Sequence, residues 1–153
     1  MPIKTNVTTE ERSGASGRFA TFCIANLVFG VDVLCVQEVL RYQRMTRVPL
    51  APDVIAGLIN LRGQLVTAID MRRRLKVPPR GEGQTPMNIV VRTDGGAVGL
   101  LVDEIGDVVD VDAADYEPPP GSLEPSIREL IGGVYKLKDR LLLVLTSVRL
   151  KFS

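Results

Sequence analysis

Val54-Ile55-Ala56-Gly57-Leu58-Ile59-Asn60-Leu61-Arg62-Gly63-Gln64-Leu65-Val66-Thr67-Ala68-Ile69 decides the fold. Two apolar, β-branched runs flank a short break at Gly63-Gln64, the pattern of a β-hairpin closed by a tight turn. Arg62 stands at the mouth of that turn and is the only charge between Asp53 and Asp70. An arginine ending a strand in apolar surroundings lays its stem along the surface and keeps its planar fork free for a partner. The plainer alternative is an arginine that caps the turn or pairs with a nearby carboxylate. Ile59 and Leu61 are candidate core residues, and strand register decides which of them faces inward.

Upstream, residues 1–17 are polar and offer little to bury, so they read as a disordered tail ahead of one folded unit over 18–153. Arg18 to Ala25 and Val28 to Val31 read as strands, joined through Asn26. Val33 to Leu40 reads as irregular and then extended, with Glu38 among apolar neighbours and in need of solvent or a cation. Arg44 to Val48 reads as a further strand, stopped by Pro49. Asp53 then caps a short helical turn that Gly57 ends.

Downstream, Asp70 caps a short helix whose buried side carries Met71 and Leu75, with the basic run Arg72 to Lys76 mostly outward. Val77 to Pro86 is a loop. Met87 to Arg92 and Ala97 to Val102 form a second hairpin. The acidic segment Asp103 to Asp112 has valine and isoleucine between its carboxylates and lacks calcium-loop spacing, so it reads as a strand bent at Gly106. Tyr116 to Pro125 is a proline-rich connection. Leu130 to Leu137 and Leu141 to Leu145 make a last hairpin. Many short strands with regular turns and only scraps of helix give an all-β barrel or sandwich.

The chain has 153 residues, enough for one domain or two small fused barrels, and ordinary globular usage at 45% apolar and 24% charged. A net charge of +1 speaks against a nucleic-acid surface, and the basic run has no interleaved aromatics to stack on bases. No apolar run approaches a membrane span and no signal-peptide core is present, so direct membrane insertion is not expected and a cytoplasmic location follows. Cys23 and Cys35 read as buried free thiols. There is no histidine, phosphate loop or C-x-x-C pair, so neither catalysis nor a metal or other cofactor is expected.

The order of landmarks carries more than any one of them. Val36-Gln37-Glu38-Val39, Gly57-Leu58-Ile59-Asn60-Leu61-Arg62-Gly63, Val66 to Arg72, and Gly99 to Val108 follow one another in a way that resembles the CheW family of chemotaxis coupling proteins. Gly132-Gly133 with Asp139-Arg140-Leu141-Leu142 fits the same pattern, so the likeness runs from about Arg18 to Leu150. The resemblance implies two five-stranded SH3-like β-barrels packed side by side. It implies a non-catalytic adaptor that links chemoreceptor tips to the histidine kinase CheA, through the kinase's regulatory domain, with other CheW-like domains as further partners in rings. It also implies that Arg62 and Glu38 form a charged pair at the partner surface. Val36, Gly57, Asn60 and Gly63 complete the partner-binding set. A pathway controlling pili or gliding is an alternative output, and a small nucleic-acid-binding β-barrel is the alternative of another class.

Overall fold

The computed structural model describes residues 16–146. The expected tail falls outside the described residues up to residue 15, and Gly17 already opens the first strand. The chain is all-β, as expected. β1 (Gly17–Ile24) and β2 (Leu27–Asp32) form a hairpin across Ala25-Asn26, both at positive φ (49° and 71°), the geometry that matches strand twist in a two-residue turn. A single 3-10 turn at Val33–Cys35, capped by Asp32, leads into β3 (Val36–Leu40). The organising hairpin is β4 (Ile55–Leu61) and β5 (Gln64–Asp70), followed by the short helix α1 (Met71–Arg74). β6 (Met87–Thr93) and β7 (Gly96–Val102) form the next hairpin. β8 (Glu104–Val111), a second 3-10 turn at Ala113–Asp115, β9 (Tyr116–Glu117), α2 (Pro125–Arg128), β10 (Ile131–Lys136) and β11 (Leu141–Leu145) complete the described elements.

These strands make two sheets. The first runs β8-β1-β2-β11-β10-β9 and the second β3-β6-β7-β5-β4. The first sheet thus has six strands where five were expected, because the two-residue β9 adds to β10. The chain starts in the first sheet, crosses to the second for β3 to β7, and returns for β8. Asp103 alone separates β7 from β8, so it stands at the return crossing.

Period-2 alternation sorts the side chains into three cores. Phe19, Val28, Leu142 and Val144 pack with Val111 and Tyr135 inside the first sheet. Ile59, Leu61, Val66, Ala68, Val90 and Leu101 pack inside the second. The opposite faces of both sheets, including Phe22, Phe29, Ile69, Ile89, Leu100 and Leu143, share one central core with Met71 and Leu75. Inner strands such as β2, β6, β7 and β11 are therefore buried on both faces, which is why they read as continuous apolar runs. Each sheet also curls on itself. Leu40 on edge strand β3 packs on the same cluster as Ile59 and Leu61 on the opposite edge, β4. Val111 and Tyr116 bring the edges of the first sheet together in the same way.

Several local expectations need correction. Residues 44–48 are not a strand; one bridge, Thr46 to Leu58, is all that forms, since Pro49 and Pro52 cannot donate to a ladder. No helical turn precedes β4. Ile55 N–H donates to the Pro52 carbonyl at 3.0 Å in a simple turn, and the strand begins at Ile55. Gly57 lies inside β4, where the pairing with β5 shifts register. The connection after Tyr116 contains β9 and α2, the latter started by Pro125 in its first turn. Cys23 and Cys35 are thiols outside any disulfide, as expected, but are half-buried and not buried. Ile59 and Leu61 both face inward. The bend of β8 at Gly106 holds: the register against β1 slips by one residue there.

Candidate partner-binding site

The turn of the organising hairpin is Arg62-Gly63, one residue earlier than the break at Gly63-Gln64, because Leu61 pairs with Gln64. Both turn residues have positive φ, 50° and 90°. Gly63 takes this at no steric cost, whereas an L-residue such as Arg62 pays about 1–2 kcal/mol in that region. Asn60 braces the turn by accepting a hydrogen bond from the Gly63 N–H at 2.9 Å. Leu61 and Ile59 anchor the hairpin in the inner core of the second sheet. Arg62 is thereby held at the tip of a rigid hairpin with its side chain 73% exposed.

Its guanidinium donates to the Glu38 carboxylate. The fork is therefore not free: of the two alternatives the sequence left open, the pairing with a carboxylate is the one that forms, and the cation that Glu38 needed is Arg62. Glu38 sits on β3 just after an irregularity in the pairing with β6, between Val36 and Glu38, and its side chain is only 20% exposed. β3 and β4 are opposite edges of the second sheet, so this ion pair ties the curled sheet where its edges meet. Val39 beside Glu38, and Leu65 paired across from Asn60, are exposed apolar side chains on the same elements.

Val36 opens β3 and packs partly on the central core. Gly57 is buried. A Cβ there would lie 2.7 Å from the Thr46 carbonyl oxygen, so the glycine lets the 41–54 segment run close against β4. Thr46 and Leu58 exchange backbone hydrogen bonds at 2.9 and 2.8 Å across that approach. The structure thus brings Arg62, Glu38, Asn60 and Gly63 to one hairpin and its partner strand, while Val36 and Gly57 support the elements from beneath.

A second charged cluster was missed. Asp103, at the crossing between sheets, accepts from Arg72 Nε at 3.0 Å and Nη2 at 2.6 Å, from Arg80 Nε at 3.1 Å, and from the Ala25 N–H at 2.8 Å. Burial alone would raise the Asp103 pKa. The hydrogen bonds from Arg72 and Ala25 and the charges of Arg72 and Arg80 outweigh that and hold the carboxyl below its usual range. The expectation that the basic run points outward fails for Arg72, whose side chain is 15% exposed; Asp70 caps α1 and aims Arg72 at Asp103. The available signal was the first acid of the Asp103 to Asp112 segment, at a strand-to-strand junction following a capped basic turn. Nearby, burial pushes the Cys23 thiol pKa up, the charges of Glu104 and Asp103 add to this, and Arg140 opposes it.

Among the described residues no helix is long and apolar enough to cross a membrane. Residues 18–150 match the family described as "CheW-like domain". The chain is 31% identical to the chemotaxis protein CheW of Klebsiella aerogenes, over 88% of this chain and 81% of that protein. It is 29% identical to the chemotaxis protein CheW of Bacillus subtilis, over 92% and 89%. Its fold matches the crystal structure of the scaffolding protein TtCheW from Thermoanaerobacter tengcongensis with a TM-score of 0.77 and 28% identity, covering 86% of this chain and 90% of that one.

Proposed function

The chain belongs to the CheW family, and from that premise we propose that it is a non-catalytic coupling adaptor of a chemosensory array, joining chemoreceptors to the histidine kinase CheA. In this reading it works on the cytoplasmic side, at membrane-held receptors, without entering the membrane. The observation that carries the site is the Arg62–Glu38 pair, in which two residues 24 positions apart meet at an exposed hairpin tip. An exposed cation held by a rigid turn, with the apolar Leu65 and Val39 on the same elements, suits a helical receptor tip or the kinase regulatory domain. Asn60 and Gly63 fix the turn, Val36 seats β3, and Gly57 admits the neighbouring segment. Other CheW-like domains are further partners.

The test is a binding titration with a kinase regulatory domain and a receptor-tip fragment, wild type beside Arg62→Ala, with circular dichroism on both. Arg62→Ala should stay folded and bind at least one partner roughly tenfold or more weakly. Equal binding by both proteins would remove Arg62 from the contact. No binding by folded wild type would remove the coupling role.

A further inference from the structure

The Asp103 cluster borders a cleft of about 950 Å³ whose lining includes none of the residues proposed above for partner binding. It lies between the β1–β2 turn of the first sheet and the loop after α1 of the second. Arg62 and Arg72 lie beyond opposite ends of β5, which spans about 20 Å at ~3.3 Å per residue, so this cleft is not part of the Arg62 hairpin.

Three guanidinium groups reach it, from Arg72, Arg80 and Arg140, against two carboxylates, Asp103 and Glu104. Asp103 is fully engaged, since both of its oxygens accept two hydrogen bonds. Among the described residues, the arginines are not. Of the five N–H donors on each guanidinium, Arg80 gives one to Asp103 and one to the Leu101 carbonyl. Arg72 gives two to Asp103 and one to the Pro78 carbonyl. Arg140 gives one, at 3.4 Å, to its neighbour Asp139. Arg72 and Arg80 are also largely withdrawn from water, at 15% and 12% side-chain exposure. Their remaining donors therefore sit in a partly dry cleft, where a charge-assisted hydrogen bond is stronger than on an open surface. Asn26, Gln84 and Thr85 add uncharged polar groups to the wall.

We propose that this inter-sheet cleft is a binding site for a small oxyanion, a phosphate or carboxylate group, received by Arg80, Arg140 and the outer donors of Arg72. Its occupant bridges the two sheets beside the Asp103 clasp and tightens their junction. The proposal stands independently of the coupling role.

The test is an amide NMR titration of the full chain with inorganic phosphate, then with citrate, each against chloride at matched ionic strength. Saturable shifts at Ala25, Asn26, Gln84 and Thr85 are expected, with a rise in melting temperature as the site fills. Arg80→Gln and Arg140→Gln should each weaken the bound anion about tenfold, the loss of one charge-assisted hydrogen bond. Arg140 lies outside the clasp and is more than half exposed, so Arg140→Gln carries the test even if Arg80→Gln unfolds. Preference for phosphate or citrate identifies which group the site takes. Shifts that equal the chloride control, spread over the surface, or persist unchanged in Arg140→Gln would overturn the proposal.

Discussion

The second sheet carries an arginine–carboxylate contact at each end of β5, and the two differ in how far the arginine is buried and in how many hydrogen bonds the carboxylate receives. Arg62 and Glu38 meet at a hairpin tip, with the arginine largely in water, through a single guanidinium nitrogen. Arg72, Arg80 and Asp103 meet at the crossing between sheets, mostly out of water, with Asp103 receiving four hydrogen bonds. Exposed pairs contribute about 0–1 kcal/mol, whereas removing one partner from a desolvated pair costs several times more. The same kind of contact therefore serves opposite ends: one holds the molecule together, and the other, on the function proposed above, is cheap to give up to a partner.

That contrast is broken most directly at Asp103. Asp103→Ala should cost about 3–5 kcal/mol in urea unfolding, because it strands two partly buried guanidinium groups. A cost no greater than that of Arg62→Ala would erase the distinction between the two ends. Gly57→Ala should come next, at about 1–3 kcal/mol, since its Cβ meets the backbone oxygen of Thr46, which cannot swing aside. Amide exchange should speed up at Thr46 and Leu58 in that variant; unchanged protection there would show that the close approach is not needed.

Acid sharpens the comparison further. The folded Asp103 pKa lies below its unfolded value of about 3.9, so its stabilisation is complete above about pH 5 and is lost as pH falls through the lower folded value. Asp103→Asn should flatten the loss of stability on acidification below ~pH 4, and a curve parallel to wild type would contradict the clasp. Arg62→Ala should give the smallest effect, less than about 1 kcal/mol. A large fall in melting temperature would make Arg62 a structural residue.

The hairpins were legible because turn chemistry and strand alternation are local. Leu61, Arg62 and Gly63 announce a turn wherever they occur between apolar runs, although the turn's register had to be read one residue earlier in the structure. The 41–54 segment was not legible: Met45 to Val48 has strand composition, but it lies against β4 through one bridge and ends in prolines. The union of Arg62 with Glu38 depends on a curled sheet bringing opposite edges together, which no window of sequence encodes. The resemblance named both residues as a charged pair, and the fold shows the contact between them. Arg72 was misread for a related reason. A four-residue helix has too few positions to define an outward face, and its partner Asp103 is 31 residues away.

The most direct test of the account is the charge swap Glu38→Arg with Arg62→Glu, titrated against the receptor-tip fragment and the kinase regulatory domain. The swap restores an ion pair across the sheet edges, so the fold and melting temperature should match wild type. If Arg62 is the group presented to a partner, the swapped protein should lose binding as Arg62→Ala does. Wild-type affinity for both partners in the swapped protein would mean that the pair only ties the sheet, and would contradict the account.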